Sequence, residues 1–147
     1  MSGYVAGVIG GIVGGLAIAA LGMAYGAATG RGLWRLPNSI GELILGPARA
    51  HARSFGVATL VGVALHIALS AAFGIVIVLL AQDVTHAYLA TGLVAGAALW
   101  LINYVGVGAI HRGAREVAKL NPVPIGLGLH LLFGLITSVV AVAILRS

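Results

Sequence analysis

The chain has 147 residues, 61% of them hydrophobic and only 7% charged, with a formal net charge of +5 and no cysteine. Soluble domains carry about 25% charged residues, so this chain has too few to cover a water-facing surface. The composition excludes a soluble globular enzyme, and the lack of cysteine excludes disulfides, thiolate ligands and cysteine nucleophiles.

Every Asp, Glu, Lys and Arg falls outside four apolar stretches, Tyr4–Ala28, Gly56–Ala81, His86–Ile110 and Val123–Leu145. Each is longer than the ~20 residues that cross a hydrocarbon core. The fold class this predicts is all-α: a single domain over residues 1–147, an integral membrane bundle of four transmembrane helices. What remains is too short for a second, soluble domain. The first stretch lacks the basic flank of a signal peptide and reads as a retained span.

Span one carries glycine at i, i+4 intervals: Gly3, Gly7, Gly11 and Gly15 on one stripe, Gly10 and Gly14 on another, then Gly22, Gly26 and Gly30. In water, such a helix would lose close to ~1 kcal/mol per glycine relative to alanine. In lipid, unsatisfied backbone groups are not tolerated, so the helix holds, and small residues let backbones approach closely. No glycine-rich phosphate-loop motif is present. Gly7, Gly10, Gly11, Gly14, Gly15, Gly22 and Gly26 are therefore candidate helix-packing positions, serving either the chain's own bundle or another subunit.

The segment after span one, RGLWRLPNSIGELILGPARAHARS, predicts a short interfacial helix. Ser39 and Glu42 fit a capping box, Pro47 ends that helix or starts the next, and Trp34 suits a headgroup-level anchor. Seven basic residues (Arg31, Arg35, Arg49, Arg53, Arg112, Arg115 and Lys119) lie in the two segments after spans one and three, and only Arg146 lies at the other side. That bias puts both segments in the cytoplasm and both termini outside. Arginine outnumbers lysine seven to one, which with abundant glycine and alanine points to a GC-rich bacterial genome and its inner membrane. The basic residues are thinly spread and tethered to lipid, so no nucleic-acid partner is expected; membrane lipids and other membrane subunits, or a second copy, are.

A faint repeat relates the two halves. Tyr4, Ile18, Gly22 and Arg31 recur 84 residues later as Tyr88, Ile102, Gly106 and Arg115, and Gly62, Leu65 and His66 recur 64 residues later as Gly126, Leu129 and His130. Two tandem helical hairpins entering the membrane in the same direction would give this pattern.

His66 in span two and His130 in span four are the candidate cofactor-binding residues, since ionisable groups inside a bilayer mark functional sites by default. Two facing imidazoles can hold a haem b iron. Equally, each can hydrogen-bond across helices, with Ser70, Asn103, Tyr104, Thr137 and Ser138 as partners. Trp100, Asn103 and Tyr104 form a candidate polar pocket for a quinone or lipid. His51, His86 and His111 fall near interfaces, and no H-x-x-x-H or H-E-x-x-H pair suggests zinc. No carboxylate lies within a span, which argues against a proton-carrying rotor helix.

The stretch PARAHARSF is similar to one in the membrane-associated eicosanoid and glutathione metabolism family. That family follows it with an Asn and a Glu, whereas Ala52, Arg53, Ser54 and Phe55 stand here, so no glutathione site is expected. The motifs VALHIALSAAFG, GLVAGAALWLINYVG and GLHLLFGLITS together resemble small uncharacterised bacterial four-helix membrane proteins, a domain of unknown function. The resemblance implies the four-helix fold and makes His66, Trp100, Asn103, His130, Phe133 and Gly134 family features; it implies no activity. The leading expectation is a non-catalytic membrane subunit or small oligomer that packs through its first helix and carries no cofactor. The alternatives are an electron-transfer subunit with haem b between His66 and His130, and a small-solute transporter.

Overall fold

In the computed structural model, residues 1–46, 53–110, 115 and 119–147 are described. They form α1 (Gly3–Ala28), α2 (Arg35–Leu45), α3 (Val57–Leu80), α4 (Tyr88–Leu101) and α5 (Val123–Arg146), with no strand among the described residues. Two π-helical segments extend the ladder, Ala81–Thr85 after α3 and Ile102–Val107 after α4. Four helical stretches are long and apolar enough to cross a membrane: Gly3–Ala28, Val57–Thr85, Tyr88–Val107 and Val123–Arg146. The all-α, multi-pass reading holds. Pro47, Arg49, His51, His111 and Arg112 lie outside the described residues, as does most of PARAHARSF.

The long helices are not packed as a symmetric square. Extensive interfaces join α1 to α3, α1 to α5, α4 to α5 and α2 to α3, whereas α3 meets α4 and α5 only sparsely. α1 is thus the central helix, and its glycines explain how it fits there. A Cβ on Gly7, Gly11 or Gly15 would strike the α3 backbone or the side chain of Ser70, and one on Gly10 or Gly14 would meet Thr137 and Phe133 of α5. The first stripe faces α3 and the second faces α5. Two stripes are filled because α1 has two neighbours within its own chain. Gly22 and Gly26 are also taken up internally, against Leu36 and the Gly32 carbonyl.

The same device recurs in the second hairpin, where Gly92 approaches the Gly134 carbonyl and Gly96 the His130 carbonyl. Dispersion between close backbones supplies the attraction that the hydrophobic effect cannot supply in lipid. The two hairpins therefore share a packing style. Their mutual contacts are unequal, because α1–α5 is closed and α3–α4 is not.

That inequality gives the molecule two different ends. At the end holding both chain termini, Ala6, Val78 and Ala141 are wholly buried, with Tyr88, Ile144 and Leu145 around them. A second buried cluster, Ile77, Leu99 and Phe133 with Ile18, Phe73 and Ala95, brings together side chains from all four long helices. The opposite end, where Arg31, Arg35, Arg53, Arg115 and Lys119 lie, is where α2 is added.

α2 corrects the capping-box expectation. The helix begins at Arg35, with Trp34 as its N-cap residue, and Ser39 is an interior position whose hydroxyl donates to the Arg35 carbonyl at 2.9 Å. Pro37 is the third helical residue, where a missing N–H costs little because the first-turn N–H groups have no intrahelical acceptor. The helix also turns its polar edge inward. Asn38, Ser39 and Glu42 are buried, while Ile44 and Leu45 are exposed. Thr59 Oγ1 donates to Asn38 Oδ1 at 2.5 Å, Asn38 Nδ2 donates to the Ser54 carbonyl at 3.1 Å, and Thr59 Oγ1 accepts from the Gly56 N–H at 3.1 Å. A Cβ on Gly41 would collide with the Ala58 carbonyl, and one on Gly62 with the Pro37 carbonyl. α2 therefore runs antiparallel along the first turns of α3, as a bracket rather than a helix standing apart on a surface.

Candidate functional site

A cavity of about 240 Å³ occupies the basic end. Its walls come from four helices and the π segment after α4: Leu16, Ala19 and Met23 of α1, Leu36, Ile40 and Leu43 of α2, Val63 and Ile67 of α3, Val107 of the π segment, and Leu129 of α5. The polar residues among the lining are His66, Asn103, Tyr104, Asn121 and His130. An apolar concavity with a few convergent polar groups is the usual form of a small-molecule site, and this volume lies just below the ~300–1,000 Å³ such sites span.

The structure brings His66 and His130 to this one cavity, as expected from their matching places in the repeat. Their partners differ from expectation, because each uses a backbone carbonyl rather than Ser70, Asn103, Tyr104, Thr137 or Ser138. His66 Nε2 lies 3.0 Å from the Gly15 carbonyl oxygen, and His130 Nδ1 lies 2.8 Å from that of Gly126. Carbonyl oxygens only accept, so Nε2 of His66 and Nδ1 of His130 must carry the proton. In the neutral rings the remaining nitrogens, His66 Nδ1 and His130 Nε2, hold lone pairs.

The nitrogens left for any further ligand are thus His130 Nε2 and His66 Nδ1. Among the described residues there is no group of three His, Cys, Asp or Glu side chains that could hold a metal ion.

Asn103 and Tyr104 sit in the π-helical segment Ile102–Val107, and three of its six residues (Asn103, Tyr104 and Val107) line the cavity. Single π turns inside α-helices are frequent at functional sites. The Tyr104 hydroxyl donates to the Asn121 carbonyl at 3.4 Å, tying the end of α4 to the start of α5. Trp100 does not line the cavity. It stacks on Tyr104, with ring centroids 5.4 Å apart and planes 28° from parallel, and so braces the ring from behind. Its Nε1 is buried without a hydrogen-bond partner, close to where a Gly126 side chain would stand. Asn103 and the two histidines therefore meet in one site, while Trp100 supports it.

Sequence reasoning missed the α2 wall. An interfacial helix would rest its apolar residues on lipid, whereas Leu36, Ile40 and Leu43 of α2 line the cavity. The signal that could have redirected it is the polar face Asn38-Ser39-Glu42, which needed buried partners of its own. Arg31 was also read only as a topology marker. It donates through Nη1 to the Leu120 carbonyl and lies 5.5 Å from the centre of the Tyr25 ring, latching the two basic segments together beside the cavity.

No protein family, no characterised protein and no solved structure matches this chain.

Proposed function

We propose that this is a non-catalytic, membrane-embedded binding protein that holds an apolar small molecule in the cavity at its basic end. The observation that carries the reading is the cavity itself: apolar walls drawn from four helices and the π segment after α4, with His66, His130, Asn103 and Tyr104 lining one space. Assembly with other subunits through the glycines of α1 has less support, because both stripes are filled by α3 and α5. A solute carrier has less support too, since the buried clusters close the terminal end.

The test is co-purification. Gently extracted protein should carry an apolar small molecule detectable by native mass spectrometry and recoverable into organic solvent. Ala19→Trp fills the cavity from α1 and should abolish that mass shift without loss of helical content. Protein that is empty in both forms would defeat the proposal.

We further infer residence in a bacterial inner membrane with the basic segments in the cytoplasm, on the strength of the positive-inside bias. Because the chain has no cysteine, single-cysteine reporters are clean. Val84→Cys in whole cells should react with an impermeant maleimide and Ser54→Cys should not; the reverse pattern inverts the topology.

A further inference from the structure

The polar lining of the cavity is biased towards acceptors, and this restricts what it can hold. In the neutral rings His66 Nδ1 and His130 Nε2 hold the lone pairs, because the opposite nitrogen of each is the one that donates, to the Gly15 and Gly126 carbonyls. Neither lone-pair nitrogen has a hydrogen-bond partner among the described residues, and neither is fully enclosed by protein. Tyr104 turns its one proton towards the Asn121 carbonyl at 3.4 Å, which leaves its oxygen able to accept from a ligand. Among the described residues no lysine or arginine lines the cavity. Three of the described polar side chains thus ask for a proton donor, and the carboxamides of Asn103 and Asn121 can offer donors of their own.

Resting on the binding role proposed above, we infer that the ligand is a neutral amphiphile bearing hydroxyl donors on an apolar ring or chain, such as a prenyl alcohol or an alkylhydroquinone. A quinone or an ester brings only acceptors, which Asn103 and Asn121 could meet, but it would leave the lone pairs of the two histidines and Tyr104 unmet in an apolar site, where that is costly. An anion would find no cation among the described residues of the wall. Two imidazole acceptors and a phenol oxygen around one space favour a ligand with more than one hydroxyl over a monoalcohol. A site built to accept from a hydroxyl rejects the analogue that lacks it far more strongly than an apolar pocket rejects a missing methylene.

The experiment measures binding of six probes of matched chain length to the purified full chain in detergent. They are decylhydroquinone, its dimethyl ether, the corresponding quinone, decanol, decyl methyl ether and decyl phosphate. Decylhydroquinone should bind roughly tenfold or more tighter than its dimethyl ether and than the quinone, about what loss of one hydrogen bond in an apolar site costs. Decanol should exceed decyl methyl ether by a smaller factor. His130→Phe and Tyr104→Phe should each shrink the ratio of hydroquinone to dimethyl ether binding, with helical content and thermal unfolding certifying that the variants are folded. Equal binding of hydroquinone, ether and quinone would overturn the donor requirement while leaving the cavity as a binding site. Preference for decyl phosphate, lost in Arg35→Gln, would overturn it in favour of an anionic ligand held by the basic rim. Failure of every probe would remove the binding role itself.

Discussion

The two ends of this bundle are built from one alphabet and reach opposite outcomes. At the terminal end, glycine and alanine let α1, α3 and α5 approach until Ala6, Val78 and Ala141 have no exposed surface. At the basic end the same helices carry Leu16, Met23, Val63, Ile67 and Leu129, and a cavity stands between them. Inside lipid, removing apolar surface from the solvent drives nothing, so helices close only where their surfaces are flat enough to touch. Bulky side chains prop them apart. The cavity is therefore a product of residue size along each helix, with α2 filling what would otherwise be an open flank.

The largest expected effect comes from breaking the closed end. Gly11→Leu and Gly74→Leu each place a Cβ inside a backbone contact, since the nearest atoms to a Gly74 Cβ are backbone atoms of Gly7 and Gly11. Ordinary overpacking costs about 1–3 kcal/mol, and here no side chain can yield, so loss should reach about 3 kcal/mol or more. Thermal unfolding in detergent should show a collapse for both, while Gly128→Leu, where a Cβ meets nothing within 4 Å, should unfold with the wild type. A Gly11→Leu protein as stable as wild type would mean that α1 is not seated between α3 and α5.

A smaller pair of changes sharpens the comparison, because the same substitution should have opposite signs at the two ends. Ala141→Leu inserts a side chain where the residue has 0% exposure and should cost about 1–3 kcal/mol. Ala19→Leu extends into the cavity, where filling empty space commonly adds about 0.5–2 kcal/mol. Equal losses at both positions, read from the same unfolding curves, would mean that the basic end is as tightly packed as the other.

How much of this was legible follows the same division. The four spans could be read directly, because charge is excluded from hydrocarbon and 20 apolar residues are hard to mistake. The glycine stripes were legible as contact faces, and even their number was informative, but which neighbours filled them depends on helix order, which no single-helix pattern encodes. His66 and His130 were found because a polar atom in an apolar run is conspicuous. Their carbonyl partners were not, since any helix offers carbonyls and the sequence does not mark which ones a ring will reach. Ser39 misled for a local reason. A Ser-x-x-Glu spacing signals a helix start only where nothing upstream is helical, and here the chain tightens into a helix before Pro37.

The last comparison lies within the basic end, between its apolar walls and the polar bracket that holds α2. If the cavity exists because α2 is pinned to α3, then the Asn38–Thr59 contact should matter to the site although neither side chain belongs to its chemistry. Thr59→Val removes the donor to Asn38 Oδ1 and also the acceptor for the Gly56 N–H. Asn38→Leu removes the first contact and the bond to the Ser54 carbonyl. Each should cost about 1–2 kcal/mol, in the range for losing a buried hydrogen-bond partner. The double variant should cost less than the sum, with a coupling of about 1 kcal/mol, because both singles break the one shared bond. Hydrogen exchange should localise the damage: amides of Arg35–Leu45 lose protection while those of Gly3–Ala28 keep theirs. If exchange instead rises evenly along α1 and α2, the bracket is part of the general packing, and the cavity owes its shape to the four long helices alone.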